Sequence, residues 1–287
     1  TVMRVLVTGG AGYIGSVFVR ELISNGYQVS VIDRFLFGKE TLEPLITNGD
    51  LEVIECDLRD ADKTKINLDG IQAVFHLAGL SNDPSCDLNP RFTFDSNVGG
   101  TRYIADLAKK AGVSKFVLFS SCSVYGTGKG TTLTELSMLN PVSAYAESKV
   151  QAEDYVKSIS DKSFKPTILR LATVFGYSPR MRFDLAVNLM TLHALRKKRI
   201  AILGGGKQWR PFVHVRDVAL LCTQLLQEPA EKIGGETFNV GSNDQTHRVV
   251  DLAHIVRDVM PSVRVEIVPD DPDKRNYNVN FDRIEKE

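Results

Sequence analysis

The sequence predicts a doubly wound α/β fold, a parallel sheet with helices on both faces, followed by a smaller C-terminal lobe. Two observations carry that prediction. Near the N-terminus an aliphatic run, Val5-Leu6-Val7, breaks into glycines and becomes helix-periodic through Ile14, Val17, Phe18 and Leu22, which reads as strand, tight turn, helix. From there to Gly176, short β-branched runs alternate with helical periods, as parallel strands joined by crossover helices require.

The turn reads Gly9-Gly10-Ala11-Gly12-Tyr13-Ile14-Gly15. Gly9 permits the turn, Gly12 lets a pyrophosphate approach the positive end of the helix, and Gly15 lets that helix pack on the strand. A second strand follows and ends on Asp33. A carboxylate there accepts from both hydroxyls of a ribose and repels a 2′-phosphate, so the pattern predicts a dinucleotide and selects NAD over NADP. The neighbouring Arg34 is the one feature pulling toward NADP.

Further strands are expected over 51–56, 73–77, 115–120 and 167–171, with long helices over 92–112 and 142–159. Beyond Gly176 the alternation dissolves into a helix over 182–198, a short strand over 201–203 and the turn Gly204-Gly205-Gly206. The expected division is a dinucleotide-binding Rossmann-type domain over 1–176 and a second lobe over 177–287, with segments near 211–240 packing back on the first. No repeat or low-complexity linker separates the two, so they should pack directly. The chain stops at Glu287 in a charged run where a further helix would be natural, so a trimmed or disordered end is expected.

Composition narrows the function classes. Thirty-five Lys and Arg balance thirty-five Asp and Glu, which leaves no electrostatic case for nucleic acid or an anionic membrane. No stretch approaches the ~20 apolar residues of a membrane span, and the N-terminus begins on a core strand without a signal-peptide pattern. Cys56, Cys86, Cys122 and Cys222 are scattered without a C-x-x-C pair, which fits a reducing compartment and a cytoplasmic location. His247 and His254 share a probable helix but have no third ligand in view, so no metal site is expected.

The chemistry is expected on the second long helix, in Ser143-Ala144-Tyr145-Ala146-Glu147-Ser148-Lys149. A spacing of four puts Tyr145 and Lys149 on one helix face. A free phenol titrates near 10, and a nearby cation favours the phenolate. Alone the pair is a weak signal; beside a dinucleotide turn it is a strong one.

Together these residues resemble the extended short-chain dehydrogenases/reductases, in particular the NAD-dependent nucleotide-sugar epimerases and dehydratases. The resemblance spans essentially the whole chain. The family's glycine motif matches Thr8 to Gly15, its adenine-holding D-[LV] matches Asp57-Leu58, and its H-x-A-[AG] matches His76-Leu77-Ala78-Gly79. Its N-V-x-G-T matches Asn97-Val98-Gly99-Gly100-Thr101, and its S-S-x-x-V-Y-G matches Ser120 to Gly126. The resemblance implies Ser121, Tyr145 and Lys149 as the catalytic group, with Lys149 lowering the phenol and bonding the nicotinamide ribose, and Ser121 donating to the sugar oxygen. It adds Tyr13 and Ile14 to the cofactor contacts. A second run, Gly204 to Asp217, resembles the family's G-x-G-x-Q-x-R-[DP]-[FY]-[IV]-[HY]-V-x-D, and implies Arg210 as a clamp on the diphosphate of a nucleotide sugar. Asp273-Lys274-Arg275-Asn276-Tyr277 implies Arg275 as the second clamp. Ser81, Ser123, Thr173 and Asn188 are the further substrate contacts expected. Such relatives commonly pair as homodimers through the two long helices. Here the apolar positions Ile104, Leu107, Ala108, Val150, Tyr155 and Val156 could form that face or could face the sheet.

Departures from the pattern limit the reaction. Dehydratases of this family carry Asp-Glu, or a Glu, between the catalytic hydroxyl and V-Y-G; this chain has Cys122-Ser123. Neither residue supplies the acid and base of water elimination, which disfavours a dehydratase and the glutamate form of a glucuronate decarboxylase. The family's frequent Phe-Asn is Ala172-Thr173 here, and the Ser81-Asn82-Asp83-Pro84-Ser85 loop also differs from the commoner epimerase form. The resulting expectation is an NAD-dependent nucleotide-sugar epimerase acting at C4 through a transient keto sugar. A 4-keto-sugar reductase is the alternative, and a non-catalytic NAD(H)-sensing module is disfavoured because Ser121, Tyr145 and Lys149 are all present.

Overall fold

The computed structural model describes residues 2–63, 65–269 and 276–286. Seven parallel strands form one sheet: β1 Arg4–Thr8, β2 Gln28–Asp33, β3 Leu51–Glu55, β4 Ala73–His76, β5 Lys115–Ser121, β6 Thr167–Leu171 and β7 Thr237–Val240. Their order is β7-β6-β5-β4-β1-β2-β3. The winding reverses between β1 and β4, so the carboxyl ends of those two strands border the crevice where ligands of such sheets sit. This is the Rossmann-type sheet the sequence predicts, with one further strand, β7, laid beside β6 from the C-terminal part of the chain.

Alternation along the strands decides which helix covers which face. Val5 and Val7 point toward helix α1 (Gly15–Ser24), where they meet Phe18, Val19 and Leu22. Leu6 points the other way, into a cluster with Ile104, Ala105 and Ala108 of α2 (Gly100–Lys110) and Ala152 and Val156 of α3 (Ala144–Ser158). Ile104, Ala108 and Val156 therefore face the sheet and are unavailable to a partner. Each such fully buried aliphatic side chain contributes roughly 1.5–3 kcal/mol.

Three further long helices are α4 (Ala186–Lys197), α5 (Val215–Gln227) and α6 (Val249–Val259). Helix α5 returns to the central sheet and joins the cluster around α1 through Val218, Cys222 and Leu226. Helices α4 and α6 enclose a separate small core with Met190, Ala194, Ile200, Phe212 and Leu252. Within that part, Trp209–His214 runs between Thr173–Phe175 and Thr246–Arg248. Among the described residues, no helix is long and apolar enough to cross a membrane.

Candidate active site

The glycine turn is built by close backbone approach. Gly9 has φ +73°, and a Cβ there would lie 2.8 Å from the Ala78 nitrogen at the end of β4. A Cβ on Gly15 would collide with the Gly9 carbonyl, so both positions need glycine for packing. Gly12 differs, since a Cβ there would meet only the Gly9 oxygen, at 3.2 Å. Its open side at the head of α1 is where a pyrophosphate fits. Asp33 ends β2, and its carboxylate accepts from the backbone N–H of Ala11 at 3.0 Å and of Phe35 at 2.8 Å. The same carboxylate thus ties the glycine turn to the end of β2.

Arg34, next to Asp33, is engaged by an acidic partner. Its guanidinium pairs with Asp57 at 3.2 Å, and Arg59 pairs with the same carboxylate at 2.6 Å. Both guanidinia lie over the Phe92 ring, at 5.4 Å and 4.1 Å. Arg59, followed by Arg34, holds the Asp57 carboxyl down at about 2. Leu58 opens the short turn beyond Asp57 and packs on Gly100.

At the end of β4 the backbone turns outward through Leu77, Ala78 and Gly79, and a buried chain of hydrogen bonds holds that turn. Ala78 N–H donates to Thr8 Oγ1 at 3.2 Å. Thr101 donates to the Asn97 carbonyl at 2.6 Å, so its oxygen is left to accept from His76 Nε2 at 2.9 Å. His76 Nδ1 is then the acceptor of the Thr8 hydroxyl at 2.6 Å. The directions of these bonds make His76 a neutral Nε2–H tautomer, and burial, then the Lys149 charge, pushes its pKa down to about 3. His76 belongs to a short local motif, but its partners lie 25 and 68 positions away.

Asn97 sits in a π-helical turn, Asp95–Gly99, a distortion frequent at functional positions. Its Oδ1 accepts from Leu80 N–H at 2.7 Å, while Nδ2 donates to the Leu80 carbonyl at 3.0 Å. A Cβ on Gly79 would come 2.7 Å from that Oδ1. Glycine is required there by the side chain beside it.

Ser121 closes β5 and caps the turn Cys122–Tyr125 by accepting from Ser123 N–H at 3.1 Å. Its hydroxyl is close enough to the Tyr145 phenol to lower that group's pKa. Tyr145 and Lys149 are both buried on α3. Lys149 Nζ lies 5.8 Å from the Tyr145 ring centre and donates to the Phe119 carbonyl at 3.0 Å. Burial pushes the phenol above its ordinary value, and the group that lowers it most is Ser121 rather than Lys149. Burial also brings Lys149 down to about 8. The expected proton acceptor and cation are thus adjacent on one helix face.

Cys122 turns away from this cluster. Its thiol faces the Arg170 carbonyl at 3.3 Å, and burial raises its pKa strongly. Ser123 is buried, and its hydroxyl is without a hydrogen-bond partner, which suits a contact to a bound molecule.

Tyr13 reaches across to the segment that opens the second lobe, donating to the Gly176 carbonyl at 2.6 Å. Ile14 precedes the first turn of α1 and packs on the core. Asn188 donates to Tyr13 and to the Arg182 carbonyl, and accepts from Gly176 N–H at 3.0 Å. That side chain is committed to the loop. Ser81 accepts from Arg182 at 2.8 Å, and Asn82 donates to Asp184 at 2.6 Å, so the two loops are strapped together. Arg182, which sequence reading passed over, also lowers the Tyr145 phenol. Thr173 opens the strand beside Phe212, and Arg210 is buried with its guanidinium 5.2 Å over the Tyr277 ring. Arg275 lies outside the described residues.

A sequence model described as the NAD dependent epimerase/dehydratase family matches residues 5–241. The chain belongs to that family. Its curated relatives include UDP-glucuronic acid decarboxylase 1 of Arabidopsis thaliana, 32% identical over 97% of this chain and 64% of the relative. The chain thus spans a little under two thirds of that protein. Another is a putative UDP-glucose 4-epimerase of Methanocaldococcus jannaschii, 32% identical over 84% of this chain and 78% of the relative. Among solved structures, the family resemblance includes UDP-N-acetylglucosamine 4-epimerase from Methanobrevibacter ruminantium M1. It superposes with a TM-score of 0.89 at 28% identity, covering 100% of this chain and 92% of that one. The dTDP-glucose 4,6-dehydratase of Streptomyces venezuelae, solved with NAD bound, gives a TM-score of 0.86 at 28% identity over 99% and 90%. The family is NAD-dependent, as Asp33 predicts.

Proposed function

We propose that this protein is an NAD-dependent epimerase of nucleotide-linked sugars, acting at C4 through a transient keto sugar. The observation that carries this reading is the gathering of Ser121, Tyr145 and Lys149 at the end of β5, with no carboxylate at positions 122 and 123. Cys122 is turned into the core, and Ser123 has only a hydroxyl to offer. The pair supplies no acid or base for eliminating water.

The residues present fit NAD. The open side of Gly12, the Asp33 carboxylate and the Gly79–Asn97 contact form a cradle that side chains would otherwise fill. When bound, the dinucleotide supplies the hydride acceptor and donor. The chain's own groups manage the proton. Tyr145 Oη takes it from the sugar hydroxyl as the carbonyl forms and gives it back on reduction. Ser121 donates to the same oxygen and stabilises charge as it develops there. The Lys149 ammonium adds positive charge beside the phenol and offers hydrogen bonds to the nicotinamide ribose. Arg210, and Arg275 in the sequence, are the groups suited to a diphosphate.

A second reading, decarboxylation of a nucleotide-linked uronic acid, draws support from the plant relatives. One assay separates the two. Incubated in turn with UDP-glucose, UDP-N-acetylglucosamine and UDP-glucuronic acid, the protein should yield a C4 epimer of unchanged mass, read by NMR and mass spectrometry. Loss of carbon dioxide, loss of water, or dependence on stoichiometric NADPH would each replace the epimerase reading.

A further inference from the structure

Behind the candidate site, three strands present polar residues at one level. Ser120 of β5 stands opposite Arg170 of β6, and Arg170 stands opposite Asn239 of β7. All three are buried. A row of this kind is unusual in a parallel sheet, whose strands are ordinarily apolar on both faces.

One residue of α3 gathers the row. Glu153 lies one helical turn beyond Lys149 and its side chain is fully buried. Its Oε1 accepts from Ser120 Oγ at 2.6 Å and from Arg170 Nε at 3.0 Å. Its Oε2 accepts from Arg170 Nη2 at 2.7 Å and from Lys157 at 3.2 Å. Arg170 Nη1 donates onward to the Tyr125 hydroxyl at 2.9 Å, which donates to Asn239 at 2.6 Å. The network is closed at every one of these atoms.

A buried ion pair is a poor source of stability, because removing both charges from water costs about as much as their attraction returns. Its geometry has another effect. The residue after Ser120 is Ser121, and the helix that carries Glu153 carries Tyr145 and Lys149. The Glu153–Ser120 bond therefore joins the bond from Lys149 to the Phe119 carbonyl in tying the end of β5 to the catalytic face of α3.

We propose that Glu153, held by Arg170, is a positioning residue that fixes the Ser121 hydroxyl against the Tyr145 phenol. The inference rests on the reading of those two residues as the proton-handling pair. It does not depend on which sugar reacts.

The test uses the full chain with NAD added and its tyrosines labelled with ¹³C at Cζ, a position whose shift responds to hydrogen bonding at the phenol. The Tyr145 resonance is assigned by its loss in Tyr145→Phe, and Ser121→Ala shows the shift that follows when the donor is removed. Ser120→Ala leaves the ion pair intact and cuts only its tether to β5. Replacing both Glu153 and Arg170 by Met removes the pair without leaving a buried charge, so the folded state should survive. Both variants should move the Tyr145 resonance in the direction Ser121→Ala moves it. With a reacting nucleotide sugar, kcat should fall roughly tenfold in the Met pair, as loss of positioning does, with KM changed little. A resonance unmoved in folded Ser120→Ala, while Ser121→Ala moves it, overturns the proposal whether or not the Met pair folds. Failure of every sugar to react would count against the proposed reaction alone, because the resonance is read without substrate.

Discussion

Asn97 donates to Ser148 Oγ at 2.9 Å, and the Ser148 hydroxyl donates to the Tyr145 carbonyl at 2.7 Å. One amide therefore joins the outward turn after β4 to the backbone of the helix that carries Tyr145 and Lys149. The π-helical turn around Asn97 is what lets that side chain point at both.

Asn97→Ala should accordingly disturb two structures at once. It leaves the Leu80 N–H and carbonyl and the Ser148 hydroxyl short of partners, at a cost of roughly 1–3 kcal/mol for each buried group left unsatisfied. Denaturant unfolding should show a lower midpoint, and NAD affinity should fall with it. Asn97→Asp, which retains only the acceptor oxygen, should recover the bond from Leu80 N–H and not the one to Ser148. A midpoint unchanged in the alanine variant would show that water replaces the amide.

Much of this site was legible in the sequence, and the parts that were not share a cause. The glycine turn, Asp33 and the Tyr145–Lys149 spacing are local patterns, and each falls on the element expected for it. The helix read over 92–112 is instead Pro90–Phe94, the turn Asp95–Gly99 and α2, since periodicity does not register one extra residue per turn. The helix read over 182–198 begins only at Ala186, because residues 182 and 184 are held by Ser81 and Asn82. Thr127–Leu133, glycine- and threonine-rich, carries no strand signal of its own. It becomes a strand because Asn276–Val279 pairs with it. The His76 chain and the Glu153 network depend on residues distant in sequence, and no short window contains them.

Asp33 makes a prediction about cofactor choice. A 2′-phosphate would stand against this carboxylate, whose two oxygens are oriented by Ala11 and Phe35. NAD should bind at least roughly tenfold tighter than NADP, a difference of about 1.4 kcal/mol. Asp33→Asn removes the repulsion and should narrow the ratio, while weakening the acceptor that holds the glycine turn. Fluorescence titration of both cofactors reads it, and equal affinities in the wild type would contradict it.

Lys149 should trade stability for function. Its ordinary value of 10.5 falls to about 8 through burial, so between those values the unfolded chain holds a proton the folded one lacks. Stability from this residue therefore rises with pH across about 8 to 10.5, and below 8 the protonated amine bears its full burial cost. Lys149→Met, similar in length and uncharged, should raise the melting temperature of the cofactor-free protein at pH 7. The gain is roughly 1–3 kcal/mol at most, reduced by the lost bond to the Phe119 carbonyl, and it should shrink toward pH 10. Thermal unfolding at the two pH values checks the sign. A variant less stable at pH 7 by as much as at pH 10 would mean the charge is accommodated without cost.

The proton-handling pair gives the most direct test. Tyr145→Phe removes the phenol oxygen with little change of shape, so NAD and nucleotide-sugar binding should survive. Turnover should fall by roughly 10²-fold or more, the worth of a positioned acid and base. Ser121→Ala should cost on the order of 10² in kcat by withdrawing the donor from the developing oxyanion. Because Ser121 also caps the turn through Ser123 N–H, a small loss of stability should accompany it, and Ser121→Thr should restore both. In the wild type, deuterium placed at the reacting carbon should be retained in the product, as oxidation followed by reduction within one site requires. A variant at Tyr145 that keeps full turnover would remove the phenol from the mechanism altogether, and would direct attention to Lys149, whose value near 8 makes it the other group able to exchange a proton at neutral pH.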